Sequence, residues 1–193
     1  MVYNIIQPPF SLIFSEMSES ELAEYFRWFL GVIPQRVDEL TREVRSTTGF
    51  EDWHPDGSLA SLRMLADWFV RKIETRRRSS DEENRIRASS NIAMPVPDWE
   101  LTNRAFSFAT DVGIYFGTAL MTKYPHLHWE QSKKNRRDAD YGQAMLSGFG
   151  RVSLNPVHII VTTAYGIASG KRGPERVIEL WGYWSQLAAI NSR

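Results

Sequence analysis

Apolar residues in the first quarter of the chain recur at steps of three and four, which is the spacing of one helical face. Ser18 and Glu21 have the Ser-x-x-Glu spacing of a capping box, so a helix is expected to begin there. The face that follows consists of Leu22, Phe26, Phe29, Leu30, Ile33, Val37, Leu40 and Val44. Gly31 and Pro34 interrupt it, which predicts a kink or two abutting helices, and Gly49 is expected to end it.

The same spacing predicts further helices along the chain. One follows Gly57, a central one is capped by Asp98, and two more open at the pairs Asn155-Pro156 and Gly173-Pro174. Residues 79–97 have little periodicity and contain Pro95 and Pro97, so they are expected to form a mobile or crossover loop.

Between His126 and Val152 the period changes from helical to alternating. Leu127 and Trp129 alternate with polar neighbours, and the charged stretch 133–140 separates them from a second apolar run at 145–149. This pattern predicts a small antiparallel β-hairpin or sheet around residues 126–152. The fold class is therefore expected to be α+β and predominantly helical, with about five or six helices in a single globular domain over residues 1–193.

Composition narrows the function classes. With 193 residues, of which 42% are hydrophobic and 24% charged, the chain has the composition of a globular protein. It contains no cysteine, which excludes disulfides, thiol nucleophiles and Cys-ligated zinc. No signal-like start is present, and the longest nearly uncharged stretch, 152–169, is interrupted by Asn155, Pro156 and His158. A cytoplasmic protein with no membrane association is expected.

A net charge of zero conceals an uneven distribution. Residues 1–56 hold 10 acidic and 4 basic side chains, a net −6, whereas residues 57–193 carry +6. An acidic surface of this kind suits a basic partner, because charge complementarity speeds association. The candidate partner-binding residues are Glu16, Glu19, Glu24, Glu51, Asp52 and Trp53. Trp53 is the candidate aromatic contact, with burial in the core as its alternative interpretation.

Two histidines and two aspartates support an alternative function. His126 and His128 would point the same way on a strand, and Asp138 and Asp140 lie across the predicted turn. These four side chains could form a metal site, so a metal-dependent hydrolase is an alternative function. No Glu-x-x-His or His-Glu-x-x-His pattern supplies a further ligand, and the leading interpretation has no metal, no cofactor and no catalytic residue. His158 is expected to be satisfied by a neighbouring side chain. Asp111 is expected either to form a structural pair with an Arg or Lys or to lie on the polar side of its helix.

The basic residues form two clusters. One consists of Arg76, Arg77 and Arg78 with Arg85 and Arg87, and the other of Lys133, Lys134, Arg136 and Arg137. Side by side they would form a phosphate-binding face, so nucleic-acid binding is a further alternative. The net charge of zero and the lack of aromatic residues within the clusters argue against it.

One stretch resembles a known kind of protein. Asp111-x-x-x-Tyr115-x-Gly117, then Trp129, Gly148-Phe149 and Asn155-Pro156, resemble a pattern in small uncharacterised bacterial proteins that are associated with polymorphic-toxin or contact-dependent-inhibition immunity. The similarity covers about residues 111–156, departs from the pattern at Thr118, where an acid is expected, and implies no catalytic residue. It implies a non-enzymatic protein that neutralises a cognate toxin by binding its active domain. The leading expectation is therefore an immunity protein whose partner is a toxin or another protein.

Overall fold

The computed structural model describes residues 3–89 and 97–191, and in these ranges the chain is α+β and predominantly helical. The helices are α1 (Glu19–Arg45), α2 (Leu59–Arg71), α3 (Ser80–Ser89), α4 (Asn103–Lys123), α5 (Pro156–Ala168) and α6 (Glu175–Ile190), preceded by a 3-10 turn at Phe14–Glu16. The strands are β1 (Thr75–Arg77), β2 (Trp99–Leu101), β3 (His128–Gln131), β4 (Ala144–Phe149) and β5 (Val152–Leu154). None of the helices in these ranges combines the length and apolar character needed to cross a bilayer.

Helix α1 begins at the predicted capping box. The Ser18 hydroxyl accepts a hydrogen bond from the Glu21 backbone N–H, and the Glu21 carboxylate accepts one from the Ser18 backbone N–H at 2.8 Å. The helix continues for 27 residues with Pro34 inside it, so the expectation of two abutting helices is wrong. Pro34 leaves the carbonyl of Leu30 without its helical donor, and both residues lie on the exposed side of α1, where water can hydrate that carbonyl.

The segment expected to be a loop, 79–97, instead contains α3 at Ser80–Ser89. Glu82 and Ser79 cap this helix: the Ser79 backbone N–H donates to the Glu82 carboxylate at 2.8 Å, and Arg76 also donates to it at 2.7 Å. These contacts lower the pKa of Glu82 to about 2, with the Arg76 hydrogen bond as the largest cause. Capping and charge hold α3, which buries little apolar surface, and for that reason the apolar periodicity did not reveal it. Residues 90–96 of the predicted loop lie outside the described residues.

Two antiparallel sheets accompany the helices. β1 pairs with β2, and the three-stranded sheet has the order β3-β4-β5. The three-stranded sheet confirms the sheet expected around 126–152, and in it Trp129 lies opposite Leu146. The pairing of β1 with β2 was not predicted, and it moves the start of the central helix: Thr102 caps α4 through the Ala105 N–H, and Asp98 lies before β2.

Helix α4 is the centre of the structure, as its broad apolar face predicted. Its middle section from Ala105 to Gly117 is almost wholly buried, and α5 packs along it. Two glycines make this approach possible, because a Cβ on Gly113 would lie 2.7 Å from Val157 Cα and one on Gly117 would lie 3.1 Å from the Pro156 side chain. The close packing positions α1, the N-terminal segment and the start of α5 around one groove.

Candidate functional site

An apolar groove lies where the N-terminal segment, α1, α4 and the start of α5 meet. Its volume is about 360 Å³, and none of its lining side chains is charged. We call it the N-terminal groove, and its lining residues are Ile5, Ile6, Gln7, Pro8, Leu12, Phe14, Tyr25, Trp28, Phe29, Asn103, Phe106, Thr110, Gln143, Ala144, Asn155 and Val157. A concave, mostly apolar site of this size with a few polar groups is the usual form of a binding site.

Aromatic side chains form the floor and one wall of the N-terminal groove. Phe14 packs edge-on against Tyr25 with ring centroids 4.8 Å apart, and Tyr25 lies 5.9 Å from Trp28. Burial raises the pKa of the Tyr25 hydroxyl to about 12, which is the effect of a surrounding with little water. Apolar side chains at the rim remain unusually exposed: Leu12 is 47% and Phe106 is 44% accessible. The groove thus presents apolar surface that nothing in the described chain covers.

A buried ionic cluster fixes the N-terminal wall of the groove. Arg36 donates to Asp111 through Nε at 2.8 Å and Nη2 at 2.7 Å, and the Tyr3 hydroxyl donates to the same carboxylate at 2.5 Å. Arg36 also donates to the Asn4 carbonyl at 2.9 Å, and the Ile6 N–H donates to Ser107 Oγ at 2.9 Å. The structural pairing expected for Asp111 is confirmed, and its function here is to hold residues 3–6 against α1 and α4.

The electrostatics of this cluster follow from its burial. Loss of water raises the pKa of the Asp111 carboxyl, while the hydrogen bonds and charge of Arg36 oppose that shift. Burial and the negative charge of Asp111 raise the pKa of the Tyr3 hydroxyl, which therefore remains a donor. The cluster thus acts as a fixed clamp, which holds residues 3–6 against α1 and α4.

The acidic candidate residues do not form one surface. Glu16, Glu19 and Glu24 are exposed at the start of α1, whereas Glu51 and Asp52 are exposed after its end. Because α1 has 27 residues at 1.5 Å each, these two groups lie about 40 Å apart along the helix axis. Neither group lines the N-terminal groove; within the first, Glu16 lines a second cavity formed by residues 9–17 and Glu21.

Trp53 is not an exposed contact. It is 1% accessible, its indole N–H donates to the Ser61 carbonyl at 2.9 Å, and its ring packs edge-on against Tyr115 at 5.4 Å. Its alternative interpretation, burial in the core, is confirmed. Trp28 and Phe106, which line the N-terminal groove together with Phe14, Tyr25 and Phe29, are not among the sequence-based candidates, because helical periodicity does not distinguish a core position from the wall of a groove.

The four residues of the alternative metal site are not brought together. Asp138 accepts from Asn135 Nδ2 at 2.8 Å, and Asp140 accepts from Asn155 Nδ2 at 2.8 Å and pairs with His158 at 2.9 Å. His126 lies in the turn before β3 beside Tyr124, not on the strand with His128. In the part of the chain that the structure describes, no three His, Asp or Glu side chains are placed to hold a metal ion.

The contact between Asp140 and His158 confirms that this helical histidine is satisfied by a neighbour. A carboxylate-oriented imidazole can transfer protons, and Ser153 lines the same shallow cavity of about 250 Å³. The Ser153 hydroxyl, however, bonds to Ser147 Oγ at 3.1 Å, and no described hydroxyl bonds to the His158 ring. The arrangement therefore lacks an activated nucleophile.

Carboxylates neutralise much of the first basic cluster. Arg76 pairs with Glu82 and Glu100, Arg78 with Glu100, and Arg87 with Glu83. The second cluster contributes Arg136 to the α1 region, where its guanidinium donates to the Met17 carbonyl at 3.0 Å. Within residues 3–89 and 97–191, no arrangement of these basic side chains favours the nucleic-acid alternative.

The residues that carry the resemblance to immunity proteins all have packing roles here. Gly117 admits the Trp129 ring, the Tyr115 hydroxyl contacts Ser61 and accepts from the Gly57 N–H at 3.0 Å, and Asn155 caps α5 through the His158 N–H. Comparison with family models, curated proteins and solved structures gave no match.

Proposed function

We propose that this chain is a non-enzymatic protein-binding protein of the immunity type, which neutralises a cognate bacterial toxin in the cytoplasm by binding its active domain. The observation that carries the proposal is the N-terminal groove, which exposes apolar surface next to a second cavity that Glu16 and Glu21 line. An apolar site next to a predominantly acidic surface has the two parts of a protein-recognition surface, since apolar anchors supply affinity and charge supplies speed and specificity.

Glu16, Glu19 and Glu24 are the steering charges in this proposal. All three are exposed, so they can meet a basic partner without the cost of burying an unpaired charge. A toxin domain that acts on nucleic acid has a basic substrate cleft, and an acidic surface can occupy such a cleft in place of the substrate's phosphates. The resemblance over residues 111–156 supports the same function class.

Charge reversal tests the steering charges. We expect the triple change Glu16→Lys, Glu19→Lys and Glu24→Lys to abolish protection of cells that express the toxin domain encoded beside this chain. We also expect it to slow association with that domain by about tenfold or more at low salt, as lost electrostatic steering would do. Surface plasmon resonance across a salt series measures the rate.

Glu51→Lys with Asp52→Lys is the matched control, because it reverses charges of the same kind at the other end of α1. It should leave protection and association rate nearly unchanged. Equal effects of the two variants, or full protection by the triple variant, would contradict the proposal. A gene neighbourhood without a toxin gene would contradict the immunity assignment itself.

A further inference from the structure

The N-terminal groove also indicates the chemistry of what it binds. We infer that its occupant is a segment of a partner protein that presents apolar side chains into the groove and Lys or Arg side chains beside them. This inference rests on the proposed function and names the part of the partner that would be recognised.

The interior of the groove selects for apolar, uncharged groups. None of its lining side chains is ionised, and two of its polar groups are already engaged by the protein: Gln143 accepts from Asn155 at 2.9 Å and donates to the Ala139 carbonyl at 2.7 Å. An occupant that placed a charge there would lose its hydration without gaining a partner. The exposed rim residues Ile5, Leu12 and Phe106 extend the apolar surface outward, so the occupant covers the rim as well as the interior.

The border of the groove selects for positive charge. An adjoining shallow cavity, formed by the other side of segment 9–17, is lined by Ile13, Glu16 and Glu21, and Phe10 joins the two cavities through ring contacts with Tyr25 and Trp28. Residues 21, 25 and 28 lie on one side of α1, since each residue turns the helix by about 100°. Glu21 and Glu24 therefore flank the aromatic wall.

Positive charges of the same region cancel only part of this acidic border. Arg27 lies about 200° around α1 from Tyr25 but only about 60° from Glu24, its i,i+3 neighbour, so it offsets that one charge. Arg104 pairs with Glu43 at 2.8 Å, and Arg36 is held by Asp111. The Arg136 guanidinium donates to the carbonyl of Met17, which lines the acidic cavity, so it places one positive charge there. The exposed carboxylates of Glu16, Glu19 and Glu21 outnumber that charge. Apolar interior and acidic border together fit a basic amphipathic segment better than an acidic one or a neutral apolar molecule.

Binding of synthetic peptides to the purified full-length chain tests this inference. The probe is a 14-residue peptide of leucine and lysine with helical amphipathic spacing. Two further probes serve for comparison. One is the same peptide with glutamate in place of lysine, and the other is decanol, a neutral apolar molecule. We expect the leucine–lysine peptide to bind with a change in tryptophan fluorescence, because Trp28 lines the groove. We expect at least tenfold weaker binding of the other two probes.

Variants locate the site. Leu12→Ser with Phe106→Ser should weaken binding of the leucine–lysine peptide at least tenfold. Val152→Ser with Tyr183→Ser is the matched control, since these apolar side chains are 47% and 58% accessible but do not line the groove. Equal loss in both variants, no loss in the first, or equal binding of the leucine–glutamate peptide or of decanol would overturn the inference.

The outcomes separate this inference from the proposed function. Peptide binding at the groove without protection against a toxin would leave the inference standing and overturn the immunity function. Protection by a variant that no longer binds the peptide would overturn the inference and leave the function standing.

Discussion

Asp111 has no accessible surface, and its carboxylate accepts hydrogen bonds from Arg36 and Tyr3. Removing one member of a buried ion pair leaves the other charge without a partner. We therefore expect Asp111→Ala to lower the free energy of unfolding by about 3–5 kcal/mol. Urea denaturation followed by circular dichroism measures the change.

Asp38→Ala is the control for this prediction, since Asp38 is an exposed acid on α1 and its loss should change stability by about 0.5 kcal/mol or less. A loss below about 1 kcal/mol in Asp111→Ala would show that the clamp contributes little. The sequence alone predicts that Asp111 either finds a hydrogen-bond partner or stays exposed, because it interrupts an apolar helical face. It cannot identify Arg36, which lies 75 residues earlier.

Trp53 shows the corresponding limit for aromatic residues. Its neighbours Glu51 and Asp52 are exposed, and a loop between acids favours an exposed side chain. The partners that bury it, Ser61 and Tyr115, come from α2 and α4. Local pattern carries no information about such contacts, so the sequence locates the loop but leaves both an exposed contact and burial in the core open for its side chain.

At the scale of elements, the contact between α4 and α5 depends on Gly113. A Cβ there would lie 2.7 Å from Val157 Cα and 2.8 Å from the Pro156 carbonyl oxygen, and both atoms belong to backbone that cannot turn aside. We expect Gly113→Ala to lower the free energy of unfolding by about 1–3 kcal/mol through overpacking. Thermal unfolding measured by calorimetry is the test.

Gly31→Ala is its matched control, because Gly31 also lies within a helix but nothing approaches its Cβ position within 4 Å. There the higher helix propensity of alanine should stabilise the protein by up to about 1 kcal/mol. Opposite signs for the two variants are therefore expected, and a stabilising Gly113→Ala would refute the close-packing account of the α4–α5 contact.

Elements with an apolar face could be predicted from the sequence, and elements held by charge could not. α1, α2, α4 and the β3–β4 hairpin each bury a regular stripe or an alternating face, so their periodicity is visible. α3 depends on the Ser79–Glu82 cap and on ion pairs such as Arg87 with Glu83. Strands β1 and β2 have three residues each and pair across α3. Three residues are too few for an alternating pattern to be recognised in the sequence.

At the scale of the whole molecule, ion pairs within the chain balance part of the uneven charge distribution. Glu43, from the acidic first quarter, pairs with Lys72 and Arg104 from the remainder, and Arg36 pairs with Asp111 in the opposite sense. Most of the acids of that quarter that remain exposed lie at the two ends of α1, and Asp38 lies between them. The candidate site could be predicted only in part, because the acids at residues 16–24 were identified while the groove beside them forms from four separate segments.

Nuclear magnetic resonance of the seven tryptophan indole N–H groups, recorded while the leucine–lysine peptide is added, tests the central claim most directly. Trp28 lines the N-terminal groove, whereas the indoles of Trp53 and Trp68 donate to Ser61 and Thr47 on the far side of the core. We predict that the Trp28 signal shifts in a saturable way and that the Trp53 and Trp68 signals stay in place. An unmoved Trp28 signal at saturating peptide, or equal shifts of all three, would contradict the claim that this groove is the binding site.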